Sequence, residues 1–241
     1  MANFTASLEG YAPEQIHIEN LKDAFHELKK SYKRIEYFIE YLDPELAKEL
    51  NGAPIPKVAV EHQSYLNLKF NQPVFVTHPP EGLQVLEEII FNEEMSAEHL
   101  NEALRQAYMF EEKLLLFFNN LQNQNFSDKQ FIESFREQLI RVMTLGITGF
   151  DTPASRSSIE NAKISLEPVL EALKLYQKVH TGPLKDDLNS CVHLLENAYF
   201  YLQEDPDFDS FDRMYFIREL GDPAYGALTS LQKALKVNYF I

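Results

Sequence analysis

The longest regular pattern of apolar residues lies between residues 14 and 42. Apolar side chains recur there at alternating spacings of three and four, at Ile18, Leu21, Phe25, Leu28, Tyr32, Ile35, Ile39 and Leu42. This spacing puts them on one face of an α-helix. It predicts a single helix of roughly 40 Å at 1.5 Å per residue. The other faces are polar, and the pattern assigns to solvent the lysines Lys22, Lys29, Lys30 and Lys33.

Helix-end signals mark several further helices. Ser96 is predicted to cap a helix that runs to about Leu121, and Ser127 with Gln130 has the form of a capping box. A helix from about residue 158 to 180 contains Pro168, which is expected to kink or split it. Asp209 is predicted to cap a helix ending at residue 220, and Asp222 with the following proline to begin the last helix, 222–236.

Residues 53–80 interrupt the helical pattern. They contain five prolines, which break any long helix, at Pro54, Pro56, Pro73, Pro79 and Pro80. Their extended character is weak and comes from Val58, Val60, Phe70, Val74, Phe75 and Val76. We predict a long crossover loop, partly tucked over the helices. Such a loop is either functional or a connector that joins parallel helices of one bundle.

The whole pattern predicts an all-α protein of about eight to nine helices with no convincing sheet. Residues 1–241 would form one helical domain. Two packed bundle halves, 1–123 and 124–241, are the alternative.

Composition narrows the classes of partner and of location. The formal net charge of -15 repels phosphate backbones, so nucleic acid is not an expected partner. No apolar run approaches the ~20 residues of a transmembrane helix. The first residues lack the basic and apolar regions of a signal peptide. A cytoplasmic protein and a mature exported domain both remain open.

Most catalytic signatures are missing from the sequence, including close histidine pairs, glycine-rich phosphate loops and the Cys-x-x-Cys-His motif of covalent haem. One candidate site remains, Gly82-x-Gln84-x-x-Glu87, at the start of a predicted helix. Residues three apart share one helix face. The carboxylate and the amide could therefore hold a metal-bound water or a small polar ligand. The alternative is the polar side of an amphipathic helix, hydrogen-bonded to the first helix.

Two segments resemble the imelysin-like family of helical envelope proteins, which are linked to iron uptake. The segments run from Tyr32 to Pro44 and from Pro80 to Phe91. The family has a Gly-x-His-x-x-Glu motif, in which Gly82 and Glu87 match and Gln84 stands in the place of the histidine. The resemblance implies a periplasmic or envelope location. It implies metal ligation by Gln84, Glu87 and Glu36, with Gly82, Tyr32 and Arg34 as further site residues.

A second resemblance spans nearly the whole chain. The order of the segments 32–36, 42–52, 80–88, 144–153 and 205–213 is similar to an N-terminal helical module that precedes the di-haem domain of some bacterial cytochrome c peroxidases. The haem-attachment motifs of that domain do not occur in this sequence. This implies a non-catalytic accessory or docking module, with a di-haem peroxidase domain or an envelope protein as partner. No cofactor is expected beyond a metal ion.

Two other functions stay open from the sequence. The first is an iron-, metal- or haem-binding protein of the iron-uptake class. The second is an enzyme such as a metallopeptidase, which the replacement of the motif histidine by Gln84 disfavours.

Overall fold

The computed structural model describes residues 2–8, 18–53, 55–61, 74–92, 95–180, 182 and 184–238. Within these ranges the protein is a helical bundle with almost no sheet, which confirms the predicted all-α fold. The helices are α1 Ala2–Leu8, α2 Ile18–Lys33, α3 Glu36–Leu42, α4 Pro44–Leu50, α5 Leu83–Ile90, α6 Ala97–Leu121, α7 Asp128–Arg141, α8 Ser158–Val179, α9 Leu184–Glu204, α10 Arg213–Tyr215 and α11 Asp222–Asn238. Of the helices described, none is long and apolar enough to cross a membrane.

Two apolar cores lie in the two halves of the chain. The N-terminal half, α1 to α6, buries residues between Phe4 and Phe117. The C-terminal half, α7 to α11, buries residues between Ile132 and Leu235. Helix α3 serves both cores, because Ile39 is buried in the first and Tyr37 packs against the second. The halves therefore meet along α2 and α3 on one side and α7 and α8 on the other.

The predicted single helix over 18–42 is wrong in one respect, because it breaks at residues 34 and 35. The N–H of Ile35 donates to the carbonyl of Tyr32 at 2.9 Å, a tighter turn than the α-helix makes. Spacing alone could not reveal this break, since the apolar stripe continues through both helices.

Residues 53–80 contain a two-stranded antiparallel ribbon rather than only a loop. Strand β1, Lys57–Glu61, pairs with β2, Val74–His78, in the register Val58 opposite Thr77. The ribbon corrects the expectation of no sheet, and alternating valines explain it. Val58 and Phe75 are 65% and 66% exposed, so this face is not tucked over the helices. Positions 62–73, with Phe70, lie outside the described residues.

The predicted ends of the helices after residue 95 are confirmed only in part. Ser96 and Ser127 cap α6 and α7 as predicted, each in a capping box. Pro168 lies inside one uninterrupted helix, α8. Asp209 is not a cap. Asp212 caps the helix instead by accepting the N–H of Tyr215 at 2.9 Å.

The last helical region is continuous rather than two helices. Helix α10 passes through a π-helical turn, Phe216–Gly221, directly into α11. In that turn the N–H of Asp222 donates to the carbonyl of Ile217, five residues earlier. Asp222 with its following proline therefore does not begin a separate helix. The wider π-helical turn lets the helix continue through Pro223, although a proline normally ends a helix.

Candidate functional site

Helix α5 begins at a close crossing of two backbone segments. Gly82 precedes it with φ of 108°. A Cβ on Gly82 would lie 2.5 Å from the carbonyl oxygen of Glu49 and 2.7 Å from the nitrogen of Gly52. Only glycine fits this conformation and this space. At this crossing α5 packs against α2, and most residues of α5 are buried.

Glu87 on α5 forms a buried ion pair with Lys29 on α2, and both side chains are 0% exposed. The same carboxylate accepts backbone N–H groups of the loop before α8, from Ala154 at 3.2 Å and Ser155 at 2.7 Å. The Lys29 ammonium also donates to the carbonyl of Asp151 at 2.5 Å. The Glu87 carboxylate is thus bound by Lys29 within its own half and by two N–H groups across the boundary between the halves.

One helical turn further along α2, Lys33 forms the second part of the network. Its ammonium lies 2.6 Å from a carboxylate oxygen of Glu36 and 2.8 Å from one of Asp151. All three side chains are buried. Asp151 therefore holds Lys29 through its backbone and Lys33 through its side chain.

Helix α7 completes the network from the C-terminal half. The guanidinium of Arg141 lies 2.9 Å from Glu40 and 3.5 Å from Glu36. The amide of Gln138 donates to Glu36 at 3.0 Å. We call Lys29, Lys33, Glu36, Glu87, Arg141 and Asp151 the interface ion network. It contains three cations and three carboxylates, with Glu40 at its edge.

Burial and charge shift the pKa values of the network in different directions. Burial lowers the pKa of Lys29, against the opposing effect of Glu87. Burial acts the same way on Lys33, but Asp151 and Glu36 together outweigh it and raise the pKa of Lys33. At Lys29, by contrast, burial exceeds the attraction of Glu87, and the charge of Lys33 lowers the pKa further. Burial also raises the pKa of Glu40 to about 7, although Arg141 acts against it.

A small polar cavity of about 10 Å³ lies between Lys33 and Glu36 on one side and the start of α8 on the other. Among the described residues, three lining atoms have no hydrogen-bond partner: Oε1 of Gln138, Nε of Arg141 and Oγ of Ser158. A cavity of this size holds about one water molecule.

Of the remaining predicted site residues, Tyr32 lies beside the network, close enough for Glu36 and Asp151 to act on its pKa, and the others lie outside it. Gln84 donates its amide to the carbonyl of Asn51 at 3.0 Å, and the N–H of Gly82 donates to Gln106 at 2.9 Å. The Tyr32 hydroxyl is buried without a partner among the described residues, and burial raises its pKa well above the ordinary value. Arg34 pairs with Glu167 and Glu171 on α8, at the rim of the interface.

The predicted metal ligands do not fit a metal ion. Glu36 and Glu87 belong to one network but are separated by Lys29 and Lys33, whose ammonium groups bind the carboxylates. The Gln84 amide is directed at a backbone carbonyl. Across the described residues, no group of three or more His, Cys, Asp or Glu side chains could hold a metal. The ammonium groups of Lys29 and Lys33 occupy the positions beside Glu87 and Glu36 that a metal cation would need.

Sequence reasoning missed most of the network. The prediction that Lys29 and Lys33 face solvent is wrong, because both are buried. One signal was present: the two lysines are four residues apart and adjacent to the apolar stripe at Leu28 and Tyr32. Asp151 gave no comparable signal, since it lies in a loop far along the chain. Its contacts depend on how the two halves pack.

Comparison with known proteins does not assign the chain to a family. No protein-family model matches the sequence, and the search of curated proteins gave no match. The resemblances drawn from sequence segments therefore stay predictions.

Proposed function

We propose that this chain is a non-catalytic, imelysin-like helical module of a bacterial cell envelope. In this proposal it acts as an accessory or docking partner of a di-haem cytochrome c peroxidase. The observation that carries the non-catalytic part is the state of Glu87. Its carboxylate is fully buried, and its oxygens accept hydrogen bonds from Lys29 and from the N–H groups of Ala154 and Ser155.

This arrangement argues for a structural role of the motif glutamate. A catalytic or metal-binding carboxylate needs a free lone pair directed toward a substrate, a water or a metal. Here the lone pairs are engaged with donors of the same chain, and Lys29 neutralises the charge. Gln84, in the place of the family's histidine, is likewise engaged with Asn51. The docking part of the proposal rests on the order of the sequence segments that resemble the peroxidase module.

Two measurements test the proposal. The purified chain is assayed for hydrogen peroxide turnover and for the absorbance of covalently attached haem, and neither signal is expected above that of buffer. The chain is then titrated against a purified bacterial di-haem cytochrome c peroxidase by biolayer interferometry, where saturable binding is expected. Peroxide turnover by the chain alone contradicts the non-catalytic role. A flat titration contradicts the docking role.

An iron-, metal- or haem-binding function of the iron-uptake class is the second candidate. The unpartnered atoms of Gln138 and Ser158 around the polar cavity favour a bound polar group beside Glu36. The positive charges of Lys33 and Arg141 at the same cavity oppose a metal cation. Calorimetry with iron, zinc, copper and haem decides between these effects. Saturable binding that Glu36→Gln abolishes would establish this candidate over the first.

A further inference from the structure

A second cavity lies apart from the interface ion network. It is an open cleft of about 550 Å³ between α2, the residues that begin α8 and the end of α9. We call it the α8 cleft and define it by His26, Ser155, Arg156, Lys163, Leu202 and Pro206. Cavities of about 300–1,000 Å³ are typical of sites for small organic molecules. Its volume therefore suits a ligand larger than a single ion.

One wall of the α8 cleft is positively charged. Arg156 and Lys163 both line it, and the acidic residue between them, Glu160, is bound to Lys30 at 3.2 Å. No ion pair of Lys163 occurs within the part of the chain that the structure describes. A pair of lining cations is notable in a chain of net charge -15. This wall should attract a small anion.

Arg156 is available to such an anion. Its only ion pair among the described residues is with Asp209, at 3.3 Å, and both side chains are more than 70% exposed. Exposed pairs of this kind contribute little to stability. A doubly charged anion that touches Arg156 and Lys163 together would displace Asp209 with little penalty.

The rest of the lining offers a small apolar surface. Pro206, just after α9, is its exposed apolar residue, whereas Leu202 is 0% exposed and Gln203 is polar. The ring of His26, which also lines the cleft, stands edge-on to Phe91 with ring centroids 5.5 Å apart. This surface would cover the carbon skeleton of a ligand whose charged end lies on the cationic wall.

The loop that carries Arg156 is held in place before any ligand arrives. Glu87 accepts the N–H of Ser155 at 2.7 Å, and the hydroxyl of Ser155 lies 2.8 Å from that of Ser157. Arg156 has φ of 53°, a left-handed conformation that side chains rarely adopt. Such a conformation persists only where neighbouring contacts fix it. A site that is already ordered loses less freedom on binding.

We propose that the α8 cleft binds a small organic phosphate. The phosphate would lie between Arg156 and Lys163, and the organic group against Pro206. Arginine and lysine both bind phosphate oxygens through short, charge-assisted hydrogen bonds. The cleft lies outside the network described above, so this inference does not depend on the proposed docking function.

Isothermal titration calorimetry with phenyl phosphate and with inorganic phosphate tests the proposal. We expect saturable binding of both, with phenyl phosphate the tighter ligand because it also contacts Pro206. Lys163→Ala and Arg156→Ala should each weaken phenyl phosphate binding by about fivefold or more. Both side chains lie at the surface of the cleft, so both variants should fold, which circular dichroism checks.

Lys185→Ala is the matched control, because it removes the same charge from the other end of α9. That end is roughly 25 Å from Leu202 at 1.5 Å per residue. Equal weakening in Lys185→Ala and Lys163→Ala would mean non-specific attraction and overturn the proposal. Absence of saturation at about 20 mM phenyl phosphate would do the same. Equal affinity for the two phosphates would refute the contact of the organic group with Pro206.

Discussion

The pair Lys29–Glu87 allows a sharp test of what the buried charges do. The variants are Lys29→Met, Glu87→Gln and the double replacement. Methionine keeps most of the length of lysine without its charge, and glutamine keeps the shape of glutamate. Each single variant leaves one charge at a site where both side chains are 0% exposed. The double variant leaves neither.

The contacts predict an unequal loss of stability. Removing one partner of a buried ion pair costs about 3–5 kcal/mol. In Lys29→Met the stranded carboxylate keeps two N–H donors, from Ala154 and Ser155, so we expect a loss near the lower end, about 3 kcal/mol. In Glu87→Gln the stranded ammonium keeps the carbonyl of Asp151, and the repulsion of Lys33 exceeds the attraction of the Asp151 carboxylate, so we expect about 5 kcal/mol.

The double variant should be more stable than either single variant. Replacing both charges by neutral groups of similar volume is often close to neutral, so we expect a loss below about 2 kcal/mol. The free energy of unfolding is measured by urea titration, followed by circular dichroism, for the four proteins. Additive losses, with the double variant the least stable, would refute the reasoning.

A second ion pair provides the control. Lys174 on α8 and Glu196 on α9 are 2.7 Å apart, but their side chains are 46% and 32% exposed. Lys174→Met and Glu196→Gln should each change the free energy of unfolding by about 1 kcal/mol or less. A loss in Lys29→Met no larger than that in Lys174→Met would mean that burial does not set the cost.

Three further predictions concern single positions. Gly82→Ala should cost at least about 2 kcal/mol by urea unfolding, since φ is 108° and the new Cβ would meet backbone atoms; Gly226→Ala, with open space in α11, should instead stabilise by about 0.5–1 kcal/mol. Because burial raises the pKa of Glu40 to about 7 from 4.5, the native state binds more protons than the unfolded chain between those values. The wild type should therefore lose up to about 3 kcal/mol relative to Glu40→Gln as pH rises from 5 to 8, and parallel stability profiles would contradict this. Tyr32→Phe removes a buried, unpartnered hydroxyl, so stability should stay equal or rise by up to about 1 kcal/mol, whereas a loss of that size would reveal a hydrogen bond.

Local signals in the sequence predicted much of the fold. Phe25 and Ile39 of the apolar stripe are buried as predicted. Ser96 and Ser127 cap α6 and α7 as predicted. These features depend on residues within one or two helical turns of each other. The break at Ile35 and the continuous run from α10 into α11 escaped prediction, because both depend on a few backbone angles that side-chain spacing does not record.

The candidate site was less predictable for a physical reason. Glu87 and Glu36 were identified from a motif and a resemblance, but their partners come from distant parts of the chain. Asp151 lies 118 residues from Lys33 and 122 from Lys29. No periodicity relates such positions. A lysine beside an apolar stripe is normally placed at the surface. Here burial depends on carboxylates that are distant in sequence, on Glu87 for Lys29 and on Asp151, together with Glu36, for Lys33.

The bond between Lys33 and Asp151 has a consequence for how the molecule comes apart. An isolated N-terminal fragment would expose Lys29 and Lys33 without Asp151, which contacts both, and an isolated C-terminal fragment would keep Arg141 without Glu36 and Glu40. Neither fragment could then retain its native surface at the boundary. Heating should accordingly melt both apolar cores in one step, and neither should survive as an independent folding unit.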